Sequence, residues 1–427
     1  MVTWLLGSWS KLMEKSKWWL LLLLLFVVPL YPKFPLVGIG GTFVAIRLED
    51  FVIGVVLLGW LIGNWKDKFA GLKTPIGKAI LIYWAVGLVS VFAGILLTKS
   101  SSLNLGLLHY LRRIEYMSMY FVGYWAINNI KQLGSLVKMI VLVGFVVAIY
   151  GLGQQFLAWP IISTTNSEFA KGLALTLGPG ARINSTFAGH YDLAAFSLIP
   201  LLVILSVLIS NIKHKWFVVI IGSLSYWAML LSASRITFVS LIIVGSIFLI
   251  RFQKWWGLVL LGIISIISVF LSPQLAGRYF NLITVVRAEE KIIRDVNTVP
   301  DALKPTEVPE DRSLNIRLKA SWPKALRALA KNPILGTGYS SVGLAVDNDY
   351  LRVLAETGIL GFASFALVFI KLFKSWIPSR SPFVWAMICV TGGLLLNAVF
   401  IDIFEASKIA TMFWLLAGVT QKFRELT

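Results

Sequence analysis

Apolar residues in this chain gather in long blocks, and the polar residues fall between them in short connections. Runs such as Trp18–Leu30 and Leu258–Leu271 carry no charge. An α-helix needs about 20 largely apolar residues to cross a bilayer core. The pattern predicts twelve spans, at 18–32, 48–64, 76–97, 105–127, 134–157, 190–210, 216–233, 236–250, 255–271, 350–373, 383–401 and 406–421. Trp19, Trp65, Trp159, Trp216, Trp255 and Trp385 fall near predicted ends, where amphipathic rings sit at membrane interfaces. The expected fold is an all-α polytopic membrane protein. It has about nine spans in residues 1–271, one long extracytoplasmic loop at 272–348 and about three spans in 349–427.

The long loop breaks the apolar pattern in two ways. Arg287 to Asp311 is charged and contains Pro300, Pro305 and Pro309, which predicts an irregular arm. From Leu314 to Ala330 the spacing turns helical. Leu318, Trp322, Ala325, Leu326 and Leu329 share one face, and Arg317, Lys319, Lys324, Arg327 and Lys331 are set against it. Such a basic amphipathic helix reads as interfacial, with a break or kink expected at Pro323. Asn332-Pro333 and Gly336-Thr337-Gly338 then turn the chain.

Composition supports the membrane reading: 58% of the 427 residues are hydrophobic, and mean hydropathy is +0.81. The formal net charge of +19 has no basic–aromatic module beside it, so nucleic acid is not an expected partner. The cations instead orient the chain. Eighteen lie in one alternating set of loops, at Lys11, Lys15, Lys17, Lys66, Lys68, Lys73, Lys78, Lys131, Lys138, Lys213, Lys215, Arg251, Lys254, Lys371, Lys374, Arg380, Lys422 and Arg424. The opposite short loops hold seven: Lys33, Arg47, Lys99, Lys171, Arg182, Arg235 and Lys408. Both termini are therefore expected in the cytoplasm and the long loop outside. The lysines before the first apolar run resemble a signal peptide. No small-residue cleavage site follows them, so the run is expected to stay as a span. A lone cysteine, Cys389, allows no disulfide framework.

Polar chemistry is expected on the outer side. In GPGARINSTFAGHYDLAAF, Arg182 follows a tight turn, and His190 and Asp192 lie where a span begins. Arg235 sits in the short connection of LLSASRITF. Arg317 heads the basic helix. In VDNDYL, Asp349 suits a helix cap, which leaves Asp347 as the better candidate for a general base. Plainer duties compete: a snorkelling cation at Arg235, and a lipid-facing or solvated face for the basic helix. Asp347, Asn348 and Asp349 are adjacent in sequence, which is poor ligand geometry, so no metal is expected. Within the fourth span, Arg112, Arg113 and Glu115 must pair or line a wet cavity. The simple pair is Arg112 with Glu115, and an arginine here could also reach the outer site. Glu405 and Lys408 are expected to form another ordinary pair. Several arginines facing one compartment suggest an anionic, phosphate-bearing ligand.

Three stretches resemble the O-antigen ligase/polymerase family, bacterial membrane glycosyltransferases that use undecaprenyl-diphosphate-linked glycans. They are ARINSTFAGHYDLAAFSLIP, SASRITF, and RLKASWPKALRALAKNPILGTGYSSVG continuing to DNDYLRVLAETGILG. The resemblance implies a GT-C-like fold and inverting, metal-independent transfer without a cofactor. It implies that Arg182, Arg235 and Arg317 bind the diphosphate. It also implies support from Asn348, Tyr350 and Glu356, to which Arg112 is added as a further candidate. Where the family's ligases carry histidine before the asparagine, this chain has Asp347. The base is then Asp347, or His190 from the other loop. The implied partners are the lipid-linked donor, a glycan, lipid or protein acceptor, and the bilayer. The implied place is the outer face of a bacterial inner membrane. A transporter of lipid-linked glycans is the alternative.

Overall fold

The structure, a computed structural model, describes residues 2–31, 35–38, 45–64, 69–161, 176–178, 181–210, 215–271, 316–343 and 346–427. The expected irregular arm Arg287–Asp311, the start of the amphipathic pattern at Leu314, the interfacial Trp65, and Lys33, Lys66, Lys68, Lys171 and Lys213 lie outside these residues.

A helix stands at every one of the twelve predicted positions. These are α1 (Val2–Leu30), α2 (Leu48–Asn64), α4 (Pro75–Leu96), α5 (Leu103–Ala126), α6 (Gln132–Phe156), α7 (His190–Ile209), α8 (Lys215–Leu231), α9 (Arg235–Arg251), α10 (Trp255–Leu271), α12 (Asp349–Trp376), α13 (Pro382–Asn397) and α14 (Ser407–Leu426). Between α2 and α4 lies the single turn α3 (Ala70–Lys73), and before α12 lies the short α11 (Trp322–Lys331). Among the described residues four helices, α4, α6, α7 and α12, are long and apolar enough to cross a membrane. Ser16–Leu30 of α1, α8, most of α10 and α13 are apolar but shorter. The protein is thus a multi-pass helical membrane protein.

The all-α expectation needs one correction. Residues 35–38 (β1) and 45–47 (β2) pair as an antiparallel ribbon, with Pro35 opposite Arg47 and Gly38 opposite Ala45. The sequence between α1 and α2 is rich in β-branched residues around Gly40-Gly41, which suits strands and a turn.

One apolar core runs from Leu21 to Phe423, so the first and last helices share it. Apolar side chains also cover the outside: Trp256, Phe270 and Ile62 are 88%, 78% and 76% exposed. An apolar exterior over an apolar interior is what a helix bundle in lipid requires. The tightest pairing is α5 with α14. A Cβ on Gly123 would strike the Leu415 carbonyl, and one on Gly418 would strike that of Tyr120. Small residues there let the two backbones meet, the usual means of helix association in membranes.

The segment before α12 is only partly what its periodicity predicts. Arg317–Ser321 form a π-helical turn, and α11 begins at Trp322 with Pro323 in its first turn. Proline has no N–H to donate and its ring crowds the preceding turn, so the widened turn falls just before it. Ala325 packs with Val342, Val346 and Ala355, and the Trp322 ring lies tilted against Phe400 with centroids 6.0 Å apart. Leu318 and Leu326 remain half exposed. The predicted apolar face is therefore split between protein and surroundings. Lys319, Lys324, Arg327 and Lys331 are exposed.

Candidate active site

Arg182 is carried by a segment fastened on two sides. Ser185, at φ +51°, is tied to α6: its N–H donates to Gln154 Oε1 at 2.7 Å and its hydroxyl to the Val147 carbonyl at 2.7 Å. Gln154 donates back to the Ser185 carbonyl at 3.1 Å. Thr186 donates to the Pro29 carbonyl of α1 at 2.7 Å. The Ser-Thr-Phe of this stretch thus anchors the loop, and Phe187 is fully buried beside Phe196. Arg182 is left half-buried at the start of the anchored segment, with Nη1 2.8 Å from His190 Nε2. A guanidinium only donates, so His190 Nε2 is the acceptor in this contact.

The neighbouring ring continues the contact. His190 and Tyr191 have centroids 4.1 Å apart, and the Arg317 guanidinium lies 5.7 Å from the Tyr191 ring centre. Arg317 is buried, and its Nε donates to Asp347 Oδ2 at 3.2 Å. Arg182, His190, Tyr191, Arg317 and Asp347 therefore form one continuous row, drawn from two segments 126 residues apart at their nearest.

Asp347 owes its place to Asp402. The Asp402 carboxylate accepts the N–H groups of Val346, Asp347 and Asn348 at 3.0, 3.1 and 3.1 Å, and Arg352 Nη2 at 2.8 Å. This nest holds Asp347 in the left-handed region, at φ +56°, and turns its side chain out of the carboxylate cluster towards Arg317. Burial raises the Asp347 pKa above the ordinary carboxylate value; Arg317 opposes the shift and Asp402 adds to it. Burial also pushes on Asp402, but the Arg352 guanidinium and the main-chain donors outweigh it and hold that carboxyl low.

Two expected duties are exchanged in this turn. Asn348, not Asp349, caps α12, accepting the Leu351 N–H at 2.9 Å. Asp349 instead accepts the Phe404 N–H at 3.0 Å and is buried. Tyr350 donates to the Leu395 carbonyl at 2.7 Å, fastening α12 to α13. Glu356 is buried, accepts the Ser340 N–H at 3.1 Å and lies 3.5 Å from Arg352. Asn348, Tyr350 and Glu356 thus bond to the helices and turns around the site.

The Asn332–Tyr339 turn rests on a break in α12. Gly358 has φ +67° within the helix, and a Cβ there would strike the Ile334 carbonyl. Ile359 and Leu360 donate to the Pro333 and Ile334 carbonyls at 2.8 and 3.2 Å, and Thr337 and Gly338 donate to those of Ala355 and Glu356. The glycine spacing of the motif is thus a backbone-on-backbone joint.

Arg235 begins α9, whose Thr237 donates to Asn397 Oδ1 at 2.6 Å. Asn397 ends α13, and Ala398 next to it accepts the Asp349 N–H at 2.9 Å, so Arg235 stands at the same end of the bundle. Arg112 belongs elsewhere: it meets Asp50 of α2 at 2.9 Å and Glu115 at 3.7 Å. Its neighbour Arg113 is the one that reaches the carboxylate cluster, paired with Glu405 and donating to the Phe404 carbonyl at 3.1 Å. The expected Glu405–Lys408 pair is replaced, because Lys408 turns to main-chain carbonyls instead. Arg352 and the nest at Asp402 went unread in the sequence. The Arg352–Glu356 spacing (i, i+4) is the signal that marks a partnered cation. Among the described residues no three histidine, cysteine or acidic side chains are grouped to hold a metal ion.

A bundle of apolar helices that gathers arginines and carboxylates at one end defines a multi-pass membrane protein with a charged site at that end. Residues 217–366 match the family model described as O-antigen ligase. That match covers about a third of the chain and supports an O-antigen ligase/polymerase family assignment. The matched stretch spans α8 to the first part of α12 and includes Arg235, Arg317, Asp347 and Glu356; Arg182 and His190 precede it. No curated protein matches the chain.

Proposed function

We propose that this protein is an inverting, metal-independent glycosyltransferase that moves a glycan from undecaprenyl diphosphate to an acceptor hydroxyl. The observation that carries the reading is the row Arg182–His190–Tyr191–Arg317–Asp347, in which each arginine is engaged by the group that must later take a proton. In the proposed setting all twelve long helices span a bacterial inner membrane in a GT-C-like arrangement. Both termini are cytoplasmic and the row faces outward.

The donor diphosphate takes Arg182 from His190 and Arg317 from Asp347, with Arg235 as a third cation. Binding thereby frees the base. The acceptor oxygen attacks C1 of the donor sugar from the face opposite the diphosphate. The new C1–O bond forms as the C1–O bond to phosphate breaks, and the electron pair leaves on the diphosphate. The arginines stabilise that growing charge, which is where electrostatic catalysis has most effect. Asp347 accepts the acceptor's proton, and His190 Nε2 is the second candidate. Three fixed cations supply the positive charge that a metal ion would otherwise bring.

The test uses purified protein in liposomes with an undecaprenyl-diphosphate-linked oligosaccharide, read by product length and released lipid diphosphate. A ladder of longer glycans lost in Arg317→Ala establishes a polymerase. Transfer that requires a second acceptor establishes a ligase. Movement of the lipid between leaflets with no glycosidic bond formed overturns the enzyme in favour of a transporter.

A further inference from the structure

We infer that Lys408 is a positioning residue: its ammonium clasps the end of α1 to the loop that carries Arg182 and His190. Lys408 is the second residue of α14 and is 1% exposed. An ammonium has three N–H donors and no acceptor. Here Nζ meets the carbonyls of Pro29 at 3.1 Å, Tyr31 at 2.7 Å and Thr186 at 2.6 Å, so each donor has a main-chain oxygen. The Phe187 ring covers it at 5.1 Å.

Two of the three carbonyls belong to the C-terminal end of α1, where unpaired oxygens carry the negative end of the helix dipole. The third belongs to the Arg182 loop. Thr186 closes the triangle, because its hydroxyl donates to the same Pro29 carbonyl that Lys408 uses. A lysine on the last helix thus holds the first helix and the Arg182 loop in fixed relation. Since Ser185 ties the other edge of that loop to α6, Lys408 and Ser185 fix the base from which Arg182 reaches. Without the ammonium, three buried carbonyls lose a partner, and the cheapest relief is for the loop to lift towards water.

The inference rests on the reading of Arg182 as a diphosphate ligand only for its catalytic consequence. Two measurements separate the clasp from that reading. Amide hydrogen exchange of the full chain in detergent is compared for wild type, Lys408→Met and Lys408→Arg. Lys408→Met is expected to speed exchange at residues 181–189 while leaving α9 protected, and Lys408→Arg to restore protection in part. Turnover of the lipid-linked donor is followed on the same proteins. A displaced Arg182 raises the donor KM and lowers kcat/KM about a hundred-fold, with the acceptor KM unchanged. Simple loss of folded protein lowers kcat alone. If Lys408→Met does not fold, Lys408→Gln, which keeps two donors, carries both measurements. Unchanged exchange at 181–189 overturns the clasp whatever the kinetics show. Faster exchange there, with donor KM unaltered, overturns the positioning role. Wild-type protein without turnover on any donor counts against the proposed reaction and leaves the exchange result to decide the clasp.

Discussion

Replacing Gly358 with alanine tests the joint on which the outer loop rests. The residue sits at φ +67°, ψ −169° inside α12, a glycine-favouring conformation that costs an L-residue about 1–3 kcal/mol. The added methyl also meets the Ile334 carbonyl, so the Asn332–Gly336 turn must move away. That movement breaks the bonds from Ile359 to Pro333 (2.8 Å) and from Leu360 to Ile334 (3.2 Å), at about 0.5–1.5 kcal/mol each. Together these give about 2–6 kcal/mol. Even ~2 kcal/mol lowers the folded-to-unfolded ratio about thirty-fold. Denaturant titration in detergent, followed by tryptophan fluorescence, measures it. Gly134→Ala is the control: it lies in α6 with nothing near its Cβ position. There, alanine should stabilise by about 0.5–1 kcal/mol. A Gly358→Ala protein that unfolds with the wild-type curve would refute the joint.

Three further outcomes follow from the site. Arg317→Ala should lose about 10²–10³ in turnover, measured as released lipid diphosphate, whereas Lys319→Ala, on the exposed face, should stay near wild type. Asp347→Asn should lose about 10²–10⁴. Because burial raises the Asp347 pKa above 3.8, the wild-type rate should fall as pH drops through that raised value and the base is protonated. The limb should vanish in Asp347→Asn, and an unchanged rate in that variant transfers the role to His190. Asp402→Asn removes one charge of a buried pair with Arg352 and should destabilise by about 3–5 kcal/mol; equal denaturation midpoints would sink the nest.

The helices were legible because lipid imposes a single rule: every backbone polar group must be bonded within its segment, so span length and apolarity suffice to find them. The ribbon at 35–47 escaped that rule, being a short connection with strand chemistry. Arg182, Arg317, His190 and Asp347 were legible as residue types in motifs, and the fold joins them through Tyr191, which no pattern marked. Partners of buried charges were the least legible. Arg113, Arg352, Asp402 and Lys408 find groups far away in sequence or on the main chain, and periodicity carries no information about either. Local rules assigned Glu405 to Lys408 and the α12 cap to Asp349; in each case a more distant group made the better hydrogen bond.

The close contact of Gly123 with Gly418's helix sets an order of events during synthesis. α5 emerges from the ribosome roughly 300 residues before α14, by the sequence positions of the two helices. Until residues 402–408 arrive, Arg113 has no Glu405, Arg352 has no Asp402, and the end of α1 has no Lys408. The nascent chain therefore waits with Arg113, Arg352 and the end of α1 short of these partners, and residues 402–408 supply them. A chain cut short after Asn397 would keep most of its helices and lack every one of these pairings.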